Sequence, residues 1–173
     1  FTSLNRCCYE LSHKLRRTVG FYSANPSIGN NLYMSQLIDF GLIQLYRYES
    51  NKIWYDYKSS NKILALWSLG IPCVFPKLPA YLKVLEENNL DKNKWVFESK
   101  NENSFHEKDT FQKFHEYSLR EGSELANHVY NIISDKNAFE KSRQELFNAS
   151  FRYNPANISW LYSEMFEYIL END

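Results

Sequence analysis

The chain has few cysteines, almost no net charge and no long apolar run. Three cysteines stand among 173 residues: Cys7 and Cys8 are adjacent, and Cys73 sits in an apolar run. An odd count without framework spacing argues against a secreted disulfide scaffold and points to a reducing cytoplasm. No C-x-x-C pair or Cys/His cluster has the spacing of a metal site, so no metal is expected. Lys and Arg number 20 against 21 Asp and Glu, a formal net charge of -1. That balance supplies no overall field for nucleic acid, so no nucleic-acid partner is expected. The longest mostly apolar stretch, residues 63–75, is broken by Ser68, Gly70 and Pro72. It falls short of the ~20 apolar residues a spanning helix needs. No transmembrane segment or signal peptide is read. Neither a P-loop nor a G-x-G-x-x-G turn occurs. The sequence opens on Phe1 rather than Met, so the native chain is expected to begin further upstream.

What remains suits one folded domain spanning residues 1–173. Hydrophobic residues make up 43% of the chain, enough for a sizeable core. The 13 Tyr and 12 Phe are expected at that core and its edge. Leu4, Cys8, Leu11 and Leu15 recur at helical spacing and predict an amphipathic helix over 3–16. Residues 18–22 (TVGFY) read as a short strand, followed by a turn-rich loop over 23–31. A short helix is expected over 32–38 and a second strand over 42–45, with a polar, aromatic loop over 46–60. Residues 61–69 read as a helix stopped by Gly70, and 71–75 (IPCVF) as a third strand. Pro79 opens a helix to Asn88, since proline is tolerated in a first turn. Residues 94–97 (KWVF) read as a fourth strand, and 98–110 as a charged loop.

The remainder reads as helix. Leu125, Val129, Ile132 and Ile133 form one stripe. Asn137 with Glu140 resembles a capping box, and Pro155 ends the helix that follows. Ile158, Leu161, Tyr162, Met165, Phe166 and Ile169 form the strongest stripe. Glu164, Glu167 and Glu171 lie beside it, a poor match to anionic lipid. Strands alternating with helices, each a continuous apolar run, predict an α/β fold with a Rossmann-like, doubly wound parallel sheet and C-terminal helices. Such a sheet begins with a strand, so the first strand is expected to be missing. Ligands of these sheets bind at the carboxyl ends of the strands.

Ser59, Ser60, Asn61 and Lys62 stand at the start of the 61–69 helix. Exposed N–H groups and the positive end of the helix dipole suit that place to phosphate. Lys62 adds a full charge and the hydroxyls add hydrogen bonds. The same residues also read as a serine cap followed by a solvated lysine. The histidines at 13, 106, 115 and 128 are scattered and read as surface or core-edge side chains. Trp54, Tyr55 and Tyr57 read equally as a base-stacking platform or as a packed loop. Asp39 reads as a turn or capping residue.

Asn61-Lys62 leading into Gly70-Ile71-Pro72 and Val74 resembles the donor-binding segment of GT-B glycosyltransferases. Asp39-Phe40-Gly41-Leu42 is similar to the D-x-G-L strand that precedes it in that family. Residues 125–135, and 157–168 with Ser159-Trp160, are similar to the family's C-terminal tail. The resemblance covers nearly the whole chain. It implies the C-terminal half of a two-domain enzyme, binding a nucleotide-diphosphate sugar. The N-terminal half would hold a glycan or lipid-linked acceptor. The implied compartment is the cytoplasm, including the inner membrane face. The resemblance places Lys62 against the donor diphosphate, supported by Ser59, Ser60 and Asn61. It places the loop from Ala24 to Ile28 near the base, and Pro79, Ala80 and Tyr81 near the phosphates or the sugar. It implies no bound metal and no cofactor beyond the donor. Ala65 departs from the family pattern, in which many members carry a glutamate that holds ribose or sugar. Two other readings stand beside it: a non-catalytic binding or interaction domain that keeps the fold, and a different phosphate-binding α/β enzyme.

Overall fold

The computed structural model describes residues 2–16, 18–19, 38–43, 59–98, 111–154, 156, 159, 163 and 167–168. The elements run α1 (Thr2–Leu15), β1 (Gly41–Leu42), α2 (Asn61–Ser68), β2 (Cys73–Val74), α3 (Pro79–Glu87), α4 (Lys92–Trp95), α5 (Phe111–Ile133) and α6 (Lys136–Phe151).

Helix dominates, and this corrects the expected fold class. Among the described residues there is one sheet, of two short parallel strands, and no doubly wound parallel sheet. Of the four expected strands, 42–45 contributes to β1 and 71–75 contains β2. The 94–97 strand is replaced by a helical turn. Asp91 caps α4 by accepting a hydrogen bond from Asn93 N–H at 2.9 Å, and only Val96 bridges to Phe75. Thr18 and Val19 are not in a strand, and 20–22 lie outside the described residues, as do residues 32–37 of the helix expected over 32–38 and residues 46–58 of the loop expected over 46–60.

The small ladder nevertheless has a definite register. Gly41 faces Cys73 and Leu42 faces Val74, in parallel, and Phe75 pairs with Val96, also in parallel. β2 is therefore flanked on both sides. Gly41 is required by closeness: a Cβ there would lie 2.9 Å from Cys73 Cβ. The turn from α2 into β2 is tight. Gly70 takes φ +70°, a conformation that favours glycine, and its N–H donates to the Trp67 carbonyl. Arg143 of α6 donates from Nε to the Gly70 carbonyl at 2.9 Å and so holds this turn from outside.

One core joins these elements. Ile63 and Trp67 of α2, Phe75 after β2, and Tyr81, Val84 and Leu85 of α3 are buried together with Leu125, Ala126 and Val129 of α5 and Leu146 of α6. The Phe75 ring lies 6.3 Å from Trp67 and meets Tyr81 edge-on at 5.1 Å. Such aromatic pairs add about 0.5–1.5 kcal/mol beyond the area they bury. α1 lies along α5, burying Cys7 and Leu11. On its flank Arg6 and Glu10 pair at 2.6 Å, and both bond to Ser123 of α5. α6 starts at Asp135, whose side chain accepts from the N–H groups of Asn137 and Ala138. The expected capping pair, Asn137 and Glu140, is not the one used: the cap lies two residues earlier.

Candidate functional site

The direction of β2 sets the geometry. α2 ends in the tight turn that starts β2, and Leu66, near its end, approaches the Gly41 position. α3 begins a few residues after β2, at the carboxyl edge of the strands. Val96 runs parallel to Phe75, so the residues after it emerge there too.

The start of α2 is open. Ser59, Asn61 and Lys62 are exposed and Ser60 is half-buried. Ser60 holds the capping position with φ -75° and ψ 0°, but its hydroxyl makes no cap hydrogen bond. The expected serine cap is therefore not formed, while the exposure of Lys62 fits a solvated lysine. α3 likewise starts without a side-chain cap, with Pro79 in its first turn. Neither helix carries an acidic residue in its first turn. Free N–H groups and the helix dipole favour an anion at the start of α2, whereas at α3 Pro79 has no N–H and the N–H groups of Tyr81 and Leu82 donate to the Leu78 carbonyl. Lys77 and Glu98 complete the edge, paired at 3.4 Å. Sequence reading did not single out either residue. Each stands two residues beyond one member of the Phe75–Val96 bridge.

The other expected site residues divide. Pro79 is exposed and Ala80 half-buried at the start of α3. Tyr81 is 1% exposed, and its ring belongs to the core. Burial raises its phenol above the ordinary value, and Cys73 nearby adds to this. Ala24 and the loop to residue 28 lie outside the described residues, as do Trp54, Tyr55 and Tyr57. Asp39 is exposed just before β1. His128 Nε2 lies 3.0 Å from the Lys94 carbonyl, and its ring sits 5.7 Å from Phe97.

No protein-family model, curated protein or solved structure matches this chain. Among the described residues no group of three or more His, Cys, Asp or Glu side chains is placed to hold a metal ion. Among them, too, no helix is long and apolar enough to cross a membrane.

A concavity lies elsewhere. An open groove of about 780 Å³ runs between α6 and the turn joining α3 to α4. Lys94 donates to the buried Ser142 hydroxyl there at 2.5 Å, while Asp91 and Glu145 balance the charge of Lys94 and Lys141. It lies at the end of α3 remote from Pro79, away from the edge described above.

Proposed function

We propose that this chain binds a nucleotide-diphosphate sugar as the donor domain of a glycosyltransferase, passing the sugar to a glycan or lipid-linked acceptor held by a partner half. One observation carries the reading: Lys62 is exposed in the first turn of α2, beside a helix start that no side chain caps. In this reading Lys62 meets the donor diphosphate, and Ser59, Ser60 and Asn61 supply further hydrogen bonds. A cation fixed where the leaving diphosphate gains charge lowers the barrier to sugar transfer. The enzyme would work in the cytoplasm or against the inner face of a membrane. Titration calorimetry with nucleoside diphosphates tests the reading. Binding that Lys62→Ala weakens supports it, and unchanged affinity refutes it.

A second reading, a binding domain without catalysis, is favoured by Ala65. This residue is exposed on α2, three positions beyond Lys62, with no carboxylate where the family pattern has one. Nucleotide binding without sugar transfer, in the presence of an acceptor-binding half, would decide for it.

A further inference from the structure

We propose that the groove between α6 and the α3–α4 turn binds an organic monocarboxylate, with Lys94 as the cation that receives the carboxylate. Both walls are fixed by the fold. α3 closes with Asn89 in the left-handed conformation, φ +53°, and the N–H groups of Asn89 and Leu90 donate to the carbonyls of Glu86 and Leu85. Asp91 then caps α4 directly. On the far wall Ala138, Ser142, Glu145 and Ala149 recur at three- to four-residue spacing and so share one face of α6. The space between the walls is about 780 Å³, within the range of about 300–1,000 Å³ usual for small-ligand sites.

Lys94 is the chemically distinctive group in this space. It is half-buried, and its carbonyl is held by the His128 ring nitrogen at 3.0 Å. Its ammonium has two described partners, both neutral: the Ser142 hydroxyl at 2.5 Å, and the Trp95 ring, whose centroid lies 5.3 Å away. Ser142 is 5% exposed and donates its own proton to the Ala138 carbonyl at 2.8 Å, which leaves its oxygen to accept from Lys94. Among the described residues no carboxylate forms an ion pair with Lys94, although two line the groove. Glu145 pairs with Lys141 at 4.0 Å, and Asp91 accepts from the Asn93 N–H. A cation drawn out of water without a counter-ion is a costly arrangement that an incoming anion relieves. An ammonium has three donors, and Ser142 takes one of them.

The lining also selects the anion. Two lysines and two acids leave the groove without net charge, so a phosphate dianion would meet Asp91 and Glu145 without enough cation to offset them. A single carboxylate matches the Lys94 ammonium. Leu90, Trp95 and Ala149 offer apolar surface to the rest of such a molecule. The inference does not depend on the donor-binding reading.

NMR and calorimetric titration of the whole chain with hexanoate, N-acetyl-leucine and hexanamide tests it. Hexanoate stands for a free acid and N-acetyl-leucine for the end of a peptide, and the tighter of the two identifies the source. Hexanamide keeps the shape and removes the charge. A carboxylate is expected to bind with a Kd of about 1 mM, in keeping with its few atoms. It should shift the amide signals of Leu90, Lys94 and Ser142 and leave those of Cys7 and Leu11 in α1 unmoved. Lys94→Met is expected to weaken binding about tenfold, the loss of one charge-assisted hydrogen bond. Lys141→Met should change it less than about twofold, because that side chain is 80% exposed and already paired. Thermal melts verify that the variants fold, and the wild-type shift map locates the site without them. Equal binding of hexanamide, shifts that spare the groove, or unchanged affinity in folded Lys94→Met would overturn the proposal. So would the absence of binding by either carboxylate at up to about 10 mM.

Discussion

Substituting Gly122 with alanine probes the contact that fastens α1 to the rest of the chain. Gly122 is buried in α5, against the start of α1. A Cβ at this position would lie 2.3 Å from the Ser3 carbonyl oxygen and 2.7 Å from Arg6 Cβ. The first of these neighbours is helix backbone, which has no rotamer to give way. Two effects compete. Alanine in a helix interior is favoured over glycine by about 1 kcal/mol. Overpacking a closed contact costs about 1–3 kcal/mol and sometimes more. At 2.3 Å the contact lies at the severe end, so the helices must separate. Separation would also strain the bonds among Arg6, Glu10 and Ser123. A net loss of about 2 kcal/mol is expected, equivalent to about 4–8 °C in Tm for a chain of this length. Urea denaturation and thermal melting measure it, with Asn127→Ala as the control. Asn127 is exposed on the same helix and should change by a few tenths of a kcal/mol. If Gly122→Ala were as stable as wild type or more so, α1 would not pack on α5 as described.

Two further predictions concern titratable groups. Burial pushes the thiols of Cys7 and Cys73 up to about 12, so both should resist thiol reagents in the folded chain. Cys8, half-buried and raised less, should be the first to react with a disulfide reagent at pH 8, and three equal rates would contradict the core as described. Burial holds His128 below the ordinary imidazole value, against a smaller opposing effect of its bond to the Lys94 carbonyl. A folded value below the unfolded one means that stability is full above about pH 6.5 and is lost as pH falls through that value toward the folded one. NMR titration of the His128 ring should give a midpoint below 6.5, and His128→Gln should flatten the stability profile on the acid side.

The helices were legible in the sequence because a period of 3.6 is long and redundant. The predicted spans 3–16, 61–69 and 79–88 match α1, α2 and α3 within a residue or two. Apolar runs of four or five residues carry no such redundancy. KWVF suits a strand by composition, yet Asp91 just upstream caps a helical turn and decides the outcome. The expected sheet was built from four such runs, and its overestimate has the same cause. Ser59 to Lys62 were expected to bind phosphate from their place at a helix start, and α2 does begin at Asn61. The resemblance placed Tyr81, with Pro79 and Ala80, near the phosphates or the sugar, but its ring turns inward onto Phe75. The pairing of Lys77 with Glu98, like that of Arg143 with the Gly70 carbonyl, joins residues far apart in the chain, which local pattern cannot foresee.

The central claim is that the start of α2 binds a diphosphate through Lys62. Calorimetric titration of the chain with nucleoside diphosphates and nucleotide sugars, wild type beside Lys62→Ala, tests it most directly. The account predicts selective binding to the wild type, weakened about tenfold or more in the variant, with an unchanged melting temperature for the unliganded protein. Equal affinity in the two proteins, or no binding by either, would contradict it.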